Sequence, residues 1–260
     1  MTLTAAEIKF VKSLSQKKFR EQQGLFVVEG EKLVAEALHS SFRVKEVYYR
    51  DQIGESAMAR MSGLSSPSPA LATVHIPEDL SKAELPSKGL FLALDGIRDP
   101  GNLGTILRIA DWFGLDAVYA SPDTVDVFNP KVVQATMGAI FRVQFHYADI
   151  PALCSRASAL GGQVYGTFLD GENFYQKELS NGSEAPSVIV IGNEANGISK
   201  QTAACVTDRL YIPPYPADDA GSESLNAAVA TAITVAEFRR RLSSGNPFPP
   251  PLKCKRCAQP

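Results

Sequence analysis

Three stretches in the second half of the chain carry side chains suited to gripping an anion and orienting a hydroxyl. They are DGIRDPGNLGTILRIADWFG (Asp95–Gly114), IGNEANGIS (Ile191–Ser199) and IPPYPADDAGSESLNAAVATAI (Ile212–Ile233). Arg108 offers a planar fork of donors that can hold a phosphate bidentately, although an arginine on a surface helix reads the same way. Asn102 and Asn226 bring amides. Glu194 brings a carboxylate, which at a helix start is equally an acid favourable to the dipole. Ser224 suits the N-cap of a final helix with Asn226 in its first turn, and a helix start also presents free N–H groups to an anion. Gly101 and Gly104 permit tight turns, and Gly192, ending an apolar run, lets a ligand lie against bare backbone.

Other chemistries find no support in the sequence. DPGNLGTIL has two glycines at the wrong spacing for a dinucleotide fingerprint, and no GxxxxGK[ST] phosphate loop occurs. His39, His75 and His146 all lie outside the three stretches, so no Ser-His-Asp arrangement suggests itself. Cys254 and Cys257 form a CxxC in KCKRCAQP, but no second pair or nearby histidine completes a zinc site. We expect no metal and no structural disulfide, with that pair reduced.

Such residues need elements to hold them. Thr4 and Glu7 fit a capping box, so a helix runs from there towards Leu14. Strands are expected at Leu25–Glu29, Val44–Tyr49 and Leu71–Ile76. Helices are expected at Glu31–Leu38 and Glu55–Met61, with a helical turn at Glu78–Lys82. Together they make a small α/β unit of about 80 residues, and AELPSKG (Ala83–Gly89) is the candidate linker. Alternation then restarts. GLFLALDG and SVIVIG are near-continuous apolar runs of the kind buried in a parallel sheet. Between and after them, helices are expected at Thr105–Phe113, Pro130–Ala139, Ile150–Leu160 and Ser224–Arg241. Strands are expected at Ala117–Ala120, Phe141–Phe145, Gln163–Phe168 and Arg209–Ile212. The whole implies a mostly parallel sheet covered by helices on both faces. Residues 244–260, proline-rich and then basic, are expected to be disordered.

The 45% hydrophobic and 21% charged composition is that of a globular protein. No apolar run reaches the roughly 18–20 residues that span a membrane, and MTLTAAEIKF lacks a secretory layout, so we expect a cytoplasmic protein. A net charge of −2 argues against a general nucleic-acid coat, yet the first twenty residues hold five basic side chains against Glu7 alone. Lys17, Lys18 and Arg20 belong to that cluster. It is either a solvated helix face or a phosphate-contacting patch.

In order and spacing the three stretches resemble the motifs of the SpoU (TrmH-type) RNA ribose 2′-O-methyltransferases of the SPOUT superfamily. KKFREQQGLFVVEGEKLVAEAL (Lys17–Leu38) is similar to the ribosomal-protein-like α/β substrate-binding domain that precedes many of their catalytic domains. The resemblance implies an RNA-binding domain over 1–84 and a catalytic domain over 85–243, knotted as a deep trefoil and paired as a homodimer. It implies S-adenosylmethionine as cofactor, held by Gly192, Ile212 and Leu225, with Thr167 a further contact. Arg108 becomes the catalytic arginine. A guanidinium that keeps its proton favours phosphate clamping and charge stabilisation over a base role. Asn102, Glu194, Ser224 and Asn226 complete the catalytic set, and Lys17, Lys18 and Arg20 recruit RNA. Ribosomal RNA is the expected substrate. Transfer RNA, or a non-catalytic role in ribosome assembly, are the alternatives. PYPADDAG, between Ile212 and Ser222, is longer and more acidic than the family's pattern.

Overall fold

The computed structural model describes residues 3–78, 80–81, 84–180, 182–216 and 224–242. Two sheets organise them. The first part runs α1 (Ala5–Ser13), α2 (Lys17–Gln23), β1 (Leu25–Glu29), α3 (Glu31–Leu38), β2 (Val44–Tyr49), α4 (Arg50–Ile53), α5 (Glu55–Met61) and β3 (Ala70–His75). Its three strands pair antiparallel in the order β1-β3-β2. The second part runs β4 (Gly89–Asp95), α6 (Pro100–Trp112), β5 (Ala117–Ala120), α7 (Pro130–Thr136), a 3-10 turn (Ala139–Phe141), β6 (Phe145–Tyr147) and α8 (Ile150–Ala159). It continues through β7 (Gln163–Asn173), β8 (Pro186–Gly192), α9 (Lys200–Ala203), β9 (Asp208–Tyr211) and α10 (Ala227–Leu242). Its six strands are all parallel, in the order β6-β5-β4-β8-β7-β9.

The apolar runs of β4 and β8 follow from burial on both faces. Leu90, Leu92, Leu94, Ile189 and Ile191 enter one core, while Phe91, Ala93, Val188 and Val190 enter the other, the period-2 alternation of a strand. The first core continues into the N-terminal part through Phe26, Val28, Ala72 and Val74. Phe26 lies 4.6 Å, centroid to centroid, from Phe128, and Phe42 meets Phe141 edge-on at 5.2 Å. The opposite face of β1, with Leu25 and Val27, packs on Ile8, Val11, Leu14 and Met58. The two sheets are thus joined by a common apolar core.

The Thr4–Glu7 capping box is present, with both reciprocal hydrogen bonds made. Elsewhere boundaries moved. α6 starts at Pro100, five residues before the expected start at Thr105, because Asp99 caps it and proline suits the first helical position. Gly104 therefore sits inside a helix, where a Cβ would lie 2.4 Å from that of Ala135 on α7. Its glycine serves helix–helix approach and not a turn.

The strand expected at Phe141–Phe145 is instead a 3-10 turn followed by β6, because Phe141 is committed to the aromatic cluster with Phe26 and Phe42. α7 ends three residues earlier than expected, where Met137 and Gly138 both take left-handed backbone. α2 and α4 were not anticipated. The turn expected at Glu78–Lys82 falls partly outside the described residues. Ser222, Glu223 and the tail with Cys254 and Cys257 lie outside them entirely. So does segment 217–223, on whose path the expected knot depends.

Candidate functional site

The carboxyl ends of β4 and β8 lie side by side, Asp95 paired with Gly192, and each feeds one of the three motifs into the same crevice. After β8 the chain turns back on itself through an Asn193–Gly197 bridge. Asn193 steers that turn: its Oδ1 accepts from Ala195 N (2.9 Å) and Asn196 N (3.1 Å), and its Nδ2 donates to Gly96 O (2.6 Å). A Cβ on Gly192 would come within 2.3 Å of both the Gly197 carbonyl carbon and the Ile198 nitrogen. The glycine is thus required by this loop's own closure. Asp95 adds a further tie by accepting from Ser199 N at 2.8 Å.

The loop brings Glu194 over the start of α6. Its carboxylate accepts from Asn102 Nδ2 at 2.9 Å and from the backbone N–H groups of Arg98 and Asp99, each at 3.3 Å. Partial burial works to raise the Glu194 pKa. The hydrogen bonds from Asn102 and the backbone outweigh it and hold the carboxyl below its ordinary range. Asn102 Oδ1 in turn accepts from Asn226 Nδ2 at 2.9 Å. Residues 92 and 124 positions apart from Asn102 are thus joined in one hydrogen-bonded line.

Asn226, not Ser224, caps the final helix. α10 begins at Ala227, and Asn226 Oδ1 accepts from Ala228 N (3.0 Å) and Val229 N (3.3 Å). Ser224 lies two residues before that cap, and both it and Leu225 are exposed. Arg108 projects from the exposed face of α6 and makes no hydrogen bond or ion pair among the described residues. Thr167, on β7, is half-buried and its hydroxyl reaches Val190 O at 3.4 Å. Ile212 is half-buried just beyond β9. The strands β8, β7 and β9 are neighbours, so the carboxyl ends of β8 and β9 flank β7 around Thr167.

The basic cluster divides. Lys17 and Lys18 are exposed on α2. Arg20 is only 2% exposed, which removes it from any RNA-contacting surface. Its guanidinium donates to Asp126 Oδ2 across the two parts of the chain, and to Leu14 O (2.9 Å) and Ser15 O (2.8 Å). Four of its five N–H donors are engaged within the fold, and burial of the group keeps phosphate from reaching it. What the sequence reading missed is a concave groove of about 860 Å³ lined by Lys9, Lys12, Gln16, Phe19 and Arg60. Arg60 is distant in sequence, and only the packing of α5 on α1 brings it there.

The sequence pattern of the SpoU rRNA Methylase family matches residues 89–236, the whole span that holds these motifs. The chain belongs to this family. An MRM3-like substrate binding domain matches residues 5–83. Among curated relatives, the 23S rRNA (guanosine(2553)-2'-O)-methyltransferase RlmP of Bacillus subtilis is 34% identical over 248 residues, covering 90% of this chain and 96% of its own. A TrmH-family putative RNA methyltransferase from Porphyromonas gingivalis superposes with a TM-score of 0.81 at 40% identity, over 92% of this chain and 99% of that one. An AdoMet-bound rRNA methyltransferase from Sinorhizobium meliloti gives 0.82 at 28% identity, over 93% and 98%. The mostly parallel, helix-flanked sheet expected of a SPOUT protein is therefore the fold of this SpoU family member.

Proposed function

We propose that this chain transfers the methyl group of S-adenosylmethionine to a ribose 2′-oxygen of ribosomal RNA. One observation carries the proposal: Asn102, Glu194 and Asn226, one from each motif, are hydrogen-bonded into a single cluster beside the start of α6. Its neighbours in sequence space support the same chemistry, since the relatives named above are RNA methyltransferases.

The residues present fit the cofactor. Leu169 and Leu225 are exposed and Ile212, just beyond β9, is half-buried, apolar side chains of the kind that take an adenine ring. When bound, the sulfonium supplies an electrophilic methyl group. Thr167, Gly192, Ile212 and Leu225 would hold the cofactor. Asn102, Ser224 and Asn226 would orient the ribose 2′-hydroxyl, whose proton would leave to water. Arg108, with its five donors unused among the described residues, clamps a phosphate of the RNA and stabilises charge.

Residues 1–84 present RNA to the catalytic unit, 85–243. Lys17 and Lys18 contact phosphate together with Lys9 and Arg60 at the groove. Two copies work as a homodimer: Trp112, on the helix that carries Arg108, is 85% exposed, a large apolar surface that a second copy would cover. Sedimentation as a single 28.0 kDa chain would remove the dimer from the proposal. No described helix is long and apolar enough to cross a membrane, and we infer a cytoplasmic site of action from the bacterial relative named above.

The test is transfer from labelled S-adenosylmethionine to RNA of a strain lacking the gene, followed by nuclease mapping. Label at one ribosomal ribose, reduced at least ~100-fold in Arg108→Ala at unchanged melting temperature, is the expected result. Label on transfer RNA would reassign the substrate, and no transfer to any RNA by a protein that binds the cofactor would replace the enzyme with an assembly factor.

A further inference from the structure

The cluster of Glu194, Asn102 and Asn226 has a direction, and its two ends impose it. At one end an ionised carboxylate has no proton to give and can only accept. At the other, the first N–H groups of α10 can only donate, and they donate to Asn226 Oδ1. A carboxamide between such ends has no choice of flip. Asn226 must turn its oxygen to the helix and its Nδ2 to Asn102, and Asn102 must turn its oxygen to Asn226 and its Nδ2 to Glu194. These are the contacts observed, at 2.9 Å in both steps. Either amide reversed alone would set oxygen against oxygen or nitrogen against nitrogen.

The consequence concerns what the amides can offer a substrate. Asn226 Oδ1 has both acceptor sites engaged by the helix and Asn102 Oδ1 has one engaged by Asn226 Nδ2, whereas each NH₂ group has used one of its two protons and keeps the other to donate. We propose that Glu194 is a positioning residue that sets the polarity of this relay, so that Asn102 and Asn226 both meet the RNA as hydrogen-bond donors. The inference rests on the methyltransferase reading for the identity of the ligand and on the geometry alone for the relay. The amides then fit acceptor oxygens of the ribose and its phosphate, and neither can take the proton that leaves the 2′-hydroxyl. A second assignment follows for Glu194: it acts through Asn102 and need not touch the RNA.

Two isosteric substitutions separate these roles. Asn226→Asp keeps the helix cap, since aspartate caps as well as asparagine, but places an acceptor opposite Asn102 Oδ1. Glu194→Gln keeps size, but Asn102 Nδ2 and Asp99 N share Oε1 while Arg98 N takes Oε2, so one amide orientation loses the Arg98 acceptor and the other sets NH₂ against both Asn102 Nδ2 and Asp99 N. In the double variant the line can run backwards, its one remaining conflict being the glutamine NH₂ against Asp99 N. The introduced glutamine donates to Asn102 Oδ1, Asn102 Nδ2 donates to the introduced aspartate, and that aspartate still caps α10. Melting temperature and single-turnover transfer to RNA are measured on all four proteins, with S-adenosylmethionine affinity by calorimetry.

Each single variant should melt below the wild type and the double variant above at least one of them. Asn226→Asp and the double variant should both lose about 100-fold or more in transfer rate at a cofactor affinity unchanged within about threefold, the loss seen when one oriented donor is removed. Additive falls in melting temperature would overturn the relay, because unlinked side chains add. Wild-type transfer rates in Asn226→Asp would overturn the donor role. If the wild type itself methylates no RNA while the melting temperatures couple as stated, the activity fails and the relay stands.

Discussion

Replacing Arg20 by methionine should damage folding and leave the RNA-contacting surface intact. The substitution retains most of the buried stem while removing a guanidinium that spans α2 and the loop before α7. Asp126 loses its ion-pair partner, and the carbonyls of Leu14 and Ser15 each lose a donor. The arginine side chain is 3% exposed and the aspartate side chain 16%, so little water can replace what is lost. Removing one partner of a buried pair costs about 3–5 kcal/mol, most of it the stranded charge. At roughly 2–4 °C per kcal/mol for a chain of this size, the melting temperature should fall by about 6–20 °C. Urea denaturation gives the free energy directly, and filter binding in a salt series gives the RNA contacts. The folded variant should bind RNA with the wild-type salt slope, because a residue that touches no phosphate releases no counterion. An unchanged melting temperature with a shallower salt slope would refute the assignment of Arg20 as an interdomain clasp.

Two further outcomes follow from packing and charge. Gly104→Ala should lower stability by about 1–3 kcal/mol in urea, since the added Cβ meets Ala135 at 2.4 Å and overpacks the α6–α7 contact. A gain of about 1 kcal/mol, the ordinary helix-propensity benefit, would show that α7 yields freely. Glu237 has its carboxyl held down at about 2, first by hydrogen bonds from Arg240 and then, against partial burial, by those from Arg241. A depressed carboxylate stabilises fully above its unfolded value of about 4.3 and loses that stabilisation as pH falls towards the folded value. Melting temperature followed from pH 6 to about 2 should therefore drop less steeply in Glu237→Gln than in the wild type, and parallel curves would exclude this residue from the acid limb.

The residues that converge were legible as residues, and their arrangement was not. Asn102, Glu194 and Asn226 stood out by motif, yet the reading gave Ser224 the helix cap that Asn226 provides. Ser and Asn cap equally well, and which one does so depends on where the preceding loop delivers the chain. Gly104 and Gly192 were read as places for turns or ligands. The contacts a Cβ would make show that neighbouring backbone and α7 need the space. Arg20 looked like its neighbours Lys17 and Lys18, and nothing local distinguishes a buried guanidinium from an exposed ammonium. Its partner Asp126 is 106 residues away.

Local patterns by themselves determined the alternation of strands and helices, the double-sided burial of β4 and β8, the capping box at Thr4 and the family. Each depends on spacing within a few residues, and short-range sterics and hydrogen bonding act at that range. The tertiary structure alone decided which sheet strands lie adjacent, that the N-terminal part shares a core with the catalytic part, and that one basic residue became a clasp. It also gave the amides of Asn102 and Asn226 their orientation, because a carboxamide takes its direction from partners that only folding brings within 3 Å.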